Sequence, residues 1–174
     1  ETGQLVSNDP SEYPQPDNRG PRHYCFHPNG AYVYFSNEQE SSVTAYSFER
    51  HSGAIKETQT QSTLPNYYSG SNTCAQLRIT RNGKFLYAPN RGHDSIAGFS
   101  VNEDSGRLTL IGRTPTEAMP RVLDIDLTGQ YLYSAGLGSG HVSAFRILLD
   151  GSLDLIGRYE VGREPMWILI LKAE

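Results

Sequence analysis

The chain has 174 residues, with 15 Lys+Arg against 19 Asp+Glu for a formal charge of −4, and 37% of it is hydrophobic. This is ordinary globular composition. The longest apolar run, Trp167 to Leu171, is far shorter than the ~20 residues a membrane helix needs, so a helical membrane span is excluded. No charged-then-apolar leader is recognisable near the first residues. A pI near 5.7 without a cluster of Lys and Arg lacks the electrostatic footprint of a nucleic-acid binder. Cys25 and Cys74 are too few for a disulfide framework or a Cys-rich zinc site. They read as two buried thiols in a cytoplasmic protein.

Gly, Pro and Tyr punctuate short β-branched and aromatic runs, and no window sustains helical periodicity. The expected class is all-β. Compared with itself, the chain shows three copies of one unit, anchored by Gly30, Gly83 and Gly129. Four positions after each anchor stands Tyr34, Tyr87 or Tyr133; sixteen after stands Tyr46, Phe99 or Phe145. A second turn follows at Ser52-Gly53, Ser105-Gly106 and Asp150-Gly151. Each unit is therefore four short strands, A to D, with glycine turns joining A to B and C to D. A four-stranded repeat of ~40–50 residues is a β-propeller blade.

In chain order the expectation is a partial blade over 1–19, where Thr2-Gly3-Gln4-Leu5 matches the turn into strand D. Blades follow over about 20–73, 74–119 and 120–164. A closing strand over 165–174 comes last, where Pro165-Met166-Trp167 matches Pro120-Arg121 at the start of a strand A. The whole chain is one propeller segment, three blades plus partial terminal ones. The first unit is longer than the second, and the excess falls in Leu64 to Asn72, an enlarged D–A loop that is either a lid or simple drift. Three blades do not close a ring. The expected partner is accordingly a second copy, giving a homodimer, or a missing N-terminal half.

In an up-and-down blade the B–C and D–A connections share one face, and strand A lies innermost. That face collects Gly20-Pro21-Arg22-His23, Asn37-Glu38, Asn90-Arg91-Gly92-His93-Asp94 and Pro120-Arg121. Together with Phe26-His27-Pro28-Asn29-Gly30, the run Asn90 to Ala97 and the closing Gly162 to Trp167, these residues resemble the lactonase family of seven-bladed propellers typified by 6-phosphogluconolactonase. The resemblance covers almost the whole chain, as the C-terminal half of such a propeller. It implies hydrolysis of a sugar-acid lactone, with 6-phosphogluconolactone-like substrates first, and no cofactor.

Lactone hydrolysis needs a base for water, donors for the carbonyl oxyanion and, for a phosphorylated substrate, guanidinium groups. The implied catalytic set is His23 or Glu38 as base with Arg22 and Arg91 on the oxyanion or phosphate. His93, Arg121, Asn37 and Asn90 complete it as substrate-binding residues. Three bland readings stand beside it. Loop Arg and Glu often form ion pairs between blades, Asp94 reads as a loop cap, and Arg78 with Asp124, at one offset in adjacent blades, reads as a salt bridge. His23, Cys25 and His27 alternate along one strand, which puts the outer two ~13 Å apart, too far for one metal ion. A non-catalytic propeller serving as a scaffold or binding module is the rival to the enzyme.

Overall fold

The computed structural model describes residues 3–172 and is all-β. Blade one comprises β1 (Pro21–Phe26), β2 (Tyr32–Asn37), β3 (Ser42–Phe48) and β4 (Ile55–Ser62). Blade two comprises β5 (Thr73–Cys74), β6 (Arg78–Ile79), β7 (Phe85–Arg91), β8 (Ser95–Val101) and β9 (Leu108–Pro115). Blade three comprises β10 (Pro120–Ile125), β11 (Tyr131–Gly136), β12 (His141–Ile147) and β13 (Leu153–Glu160). In blades one and three, strands that are neighbours in the chain pair antiparallel; in blade two β5 and β6 both pair with β7, which β8 and β9 follow, and the result is an open run of propeller blades.

The turns recur as the glycine spacing requires. Gly30, Gly83 and Gly129 take φ of 74°, 74° and 75°, left-handed values that cost a glycine little. Each donates its N–H back three residues, to the carbonyls of His27, Thr80 and Asp126. The B–C turns repeat equally, with Ser41, Asp94 and Gly140 at φ of 55°, 52° and 69°.

Packing lies between blades rather than within them. Tyr34, Val43 and Ala45 of blade one meet Leu77, Leu86, Ala88, Ala97, Phe99 and Leu108 of blade two. Tyr87 and Ile96 of blade two meet Leu123, Leu132 and Phe145 of blade three. The tyrosine four residues after each anchor carries a polar contact across the same seam. Tyr34 Oη donates to Gly106 O at 3.0 Å and Tyr87 Oη to Gly151 O at 2.8 Å, so each buried hydroxyl is satisfied by the next blade's C–D turn. His27 stays with its turn: its Nδ1 accepts from Asn29 N–H and its Nε2–H reaches Gly83 O at 3.2 Å.

Strand A departs from regularity in every blade. Between Pro21 and His23 the register slips, leaving Arg22 as the extra residue of a β-bulge opposite β2. The same slip between Pro120 and Val122 leaves Arg121 unpaired opposite β11. In blade two the strand is cut into β5 and β6. The reason lies across the ladder: Pro89 of β7 accepts from Ala75 N–H but has no N–H to return.

The expected terminal strands do not form among the described residues. Residues 3–20 and 161–172 carry no strand, and Thr2 lies outside the described residues, as do 173 and 174. A lone strand D or A needs a ladder partner for its backbone groups, and no described strand is placed to provide one. The N-terminal segment instead lies on blade one without forming a ladder: the Tyr13 ring stands edge-on to Tyr46 with centroids 5.4 Å apart, Arg19 pairs with Glu57 at 2.7 Å, and Gly20 O accepts from Glu38 N–H at 2.7 Å.

Candidate active site

The bulges decide where the first two cations go. Released from the pleat, the side chains of Arg22 and Arg121 turn into a shared cavity of about 240 Å³, lined also by His23, Gln76, Val122, Met166 and Trp167. Larger hollows, about 550 Å³ beside Arg107 and about 380 Å³ beside Glu160 and Glu164, contain no imidazole. The smaller cavity is the one where a base and two guanidinium groups converge.

Behind Arg22 runs a chain of charge. Arg22 Nε contacts Glu38 Oε2 at 3.3 Å, Arg91 Nη2 donates to Glu38 Oε1, and Arg91 Nη2 also reaches Cys74 O at 3.1 Å. Glu38 stands eight positions after the first anchor glycine and Arg91 eight after the second, so equivalent corners of adjacent blades bring them together. Glu38 and Arg91 are thus an inter-blade ion pair that holds Arg22. Arg22, His23 and Arg121 line one cavity, and Glu38 and Arg91 stand behind Arg22.

The electrostatics favour an anion in the cavity and a neutral imidazole. Burial lowers the pKa of His23, and the nearby cations of Arg22 and Arg78 lower it further. Arg78 is fixed in turn by Asp124 at 2.9 Å, the salt bridge expected from their matched offsets. In the amide orientation that satisfies both ends, Gln76 donates to Leu123 O at 3.0 Å and accepts from Arg78 at 2.6 Å. Burial also lowers the pKa of Arg22, and the positive charges of Arg91 and Arg121 add to it while Glu38 opposes them. Neither cysteine supplies a nucleophile: burial pushes the Cys25 thiol up to about 12 and the Cys74 thiol up to about 11.

Three candidates lie elsewhere. Asn37 is fully buried at the end of β2 and donates to Ser42 Oγ at 2.7 Å and Thr44 Oγ1 at 2.8 Å. Asn90 is fully buried on β7; its Oδ1 accepts from Thr63 and Asn72, and its Nδ2 donates to Thr63 O and Ser95 Oγ. Both amides fasten turns and neither lines the cavity, because strand register aims them into the sheet. His93 turns to the enlarged D–A loop, where its Nδ1 meets Ser95 Oγ at 2.7 Å and its ring stands edge-on to Tyr68.

That loop is fastened rather than free. Arg113 donates to Thr63 O and Leu64 O, both at 2.6 Å, and Asn72 Nδ2 reaches Ser41 Oγ at 2.9 Å. Gly92 makes the close approach of loop and turn feasible: a Cβ there would stand 2.1 Å from Ser71 O. Asp94 caps the turn, accepting from Gly92 N–H at 3.2 Å and Met119 N–H at 2.9 Å.

Gln76, Met166 and Trp167 were not among the candidates from sequence. The signal was present as an offset. Arg22 and Arg121 each stand eight positions before their anchor glycine, and Met166 follows Arg121 by the 45 residues that separate Pro165 from Pro120.

The chain is 39% identical over 174 residues to a 6-phosphogluconolactonase of Pectobacterium carotovorum subsp. carotovorum, covering 99% of this chain and 52% of that protein. A 6-phosphogluconolactonase of Pectobacterium atrosepticum is also 39% identical, over 173 residues. Among solved structures, a periplasmic gluconolactonase of Pseudomonas aeruginosa superimposes with a TM-score of 0.85 at 26% identity, over 90% of this chain and 44% of that one. A protein from Lactobacillus plantarum gives 0.81 at 31% identity, over 84% and 43%. The chain spans about half the length of the curated relatives it matches. With residues 1–170 matched by the family described as Lactonase, 7-bladed beta-propeller, this chain belongs to the seven-bladed β-propeller lactonases.

Proposed function

We propose that the chain contributes the active site of a lactonase that hydrolyses a phosphorylated sugar-acid lactone. The observation that carries this reading is the cavity that His23, its pKa lowered by burial and by neighbouring arginines, shares with Arg22 and Arg121. The two guanidinium groups give the cavity the positive charge that a phosphorylated substrate needs, in a chain whose net charge is −4.

The chemistry follows from the placement. Both Glu38 oxygens are engaged by guanidinium groups, which suits Glu38 to orienting Arg22 and leaves His23 as the base. His23 takes a proton from water as the oxygen adds to the lactone carbonyl carbon. Arg22 stabilises the oxyanion, and Arg121 holds the phosphate. When the ring C–O bond breaks, the imidazolium returns its proton to the departing ring oxygen, so the acid and alcohol leave with the base restored. Arg91 acts through Glu38 as a positioning residue.

We place this reaction in the cytoplasm, where the free thiols of Cys25 and Cys74 stay reduced. There the ring is completed by an N-terminal half or by a second copy. A scaffold propeller has no use for an imidazole set beside Arg22 and Arg121, where Arg22 and Arg91 share the one carboxylate of Glu38. The test is acid release from 6-phosphogluconolactone, measured against the spontaneous rate. Acceleration that His23→Ala removes is the expected result. A rate equal to the spontaneous one, in the chain and in its completed ring alike, overturns the proposal.

A further inference from the structure

The cavity has a fourth wall that takes no part in the proton transfers. Its polar side comes from blades one to three through Arg22, His23, Gln76 and Arg121. Its other side is Met166 and Trp167, from a segment outside any strand. Backbone geometry shows that this segment is set as the blades are. Gly20, Met119 and Glu164, each followed by proline, have φ of 62°, 54° and 50°. The residue after each proline is Arg22, Arg121 and Met166, and the next is His23, Val122 and Trp167. The tail therefore presents its side chains to the cavity as a fourth blade would, without the ladder.

The two sides differ in chemistry. Arg22 and Arg121 share the cavity with an indole that remains 60% exposed, the only tryptophan in the chain. An indole face is electron-rich, and the axial C–H bonds of a sugar ring carry the positive edge that such a face attracts. An open apolar plane in the same cavity as a phosphate-binding guanidinium matches a ligand that carries both an anionic group and an aliphatic ring. We propose that Trp167 is a specificity-determining residue on which the sugar ring of the substrate stacks while Arg121 holds its phosphate. This rests on the lactonase reading above and adds to it the residue that recognises the sugar ring.

Because the chain has one tryptophan, its fluorescence reports ligand at this site directly. Glucose 6-phosphate serves as a stable ring-bearing probe and glycerol 3-phosphate as a phosphate ester without a ring. In the wild-type chain, glucose 6-phosphate should change the emission saturably and bind at least tenfold more tightly than glycerol 3-phosphate. Calorimetry on Trp167→Ala should show that preference reduced to within about twofold, while Trp167→Phe keeps most of it. The side chain is exposed, so the circular dichroism of the variants should match the wild type. Preference for glucose 6-phosphate that survives Trp167→Ala, with binding still weakened by Arg121→Ala, overturns the stacking role and leaves the lactonase reading standing. A wild-type chain and completed ring that bind neither phosphate ester overturn both.

Discussion

At the residue scale, the behaviour of the site turns on which charges are already engaged. Arg91 gives its guanidinium to Glu38 and to Cys74 O. Arg91→Ala would leave Glu38 with Arg22 alone and loosen Arg22 at the cavity. Turnover of a phosphorylated lactone should fall at least tenfold, a loss of about 1.4 kcal/mol of transition-state stabilisation, in initial rates corrected for spontaneous hydrolysis. His23 supplies a pH signature. Burial and the neighbouring arginines lower its pKa, so the active, uncharged imidazole should persist on acidification to below the ordinary histidine value of about 6.5. The acid limb of kcat/KM should accordingly have its midpoint under that value and vanish in His23→Gln. Folding stability has the same sign. Because the fold resists the proton, the unfolded chain binds it first, and stability should decline as pH falls through the ordinary value towards the lowered one.

At the element scale, the seams between blades are the structural units. Tyr34 and Tyr87 each bridge a seam to a glycine carbonyl. Replacing either with Phe keeps the apolar packing and strands a buried acceptor, for about 1–2 kcal/mol in urea unfolding. Tyr133 occupies the equivalent place in blade three, where no further described blade follows, so Tyr133→Phe should cost less than about 0.5 kcal/mol in the same measurement. If Tyr133→Phe proved as costly as Tyr87→Phe, the seam account would be wrong. The β-bulges matter at this scale too. A regular strand A would alternate Arg22 with His23 across the sheet, and only the extra residue lets neighbouring positions line one cavity.

At the scale of the whole molecule, the run of blades is open at both ends. Tyr24 and Phe26 remain 59% and 46% exposed on the outer face of blade one, although they stack on one another, on Phe35 and on Phe48. Leu155, Ile156 and Tyr159 are similarly open on blade three. Apolar sheet faces of this kind drive association. The mass in solution by light scattering should therefore exceed 19.3 kDa at micromolar concentration. A well-ordered monomer would show that the termini and solvent suffice to cover these faces.

Spacing along the chain by itself determined the blade architecture, because a turn that needs positive φ and a tyrosine that bridges each seam recur at constant offsets and demand the same local geometry each time. The same arithmetic located the Arg78–Asp124 pair, and the turn position of Asp94 indicated its capping role. Only the tertiary structure decided which polar groups face the cavity. Asn37, Asn90 and His93 share its face of the blades, yet register turns the two amides into the sheet and Tyr68 draws the imidazole to the enlarged loop. Arg22 and Arg121 reach the cavity through bulges that period-two reasoning does not contain. Trp167 joins them through a tail that adopts the backbone turn of a blade with no strand to pair with. Such outcomes depend on hydrogen bonds between residues distant in the chain, and a pattern read along one strand carries no information about the partner across the ladder.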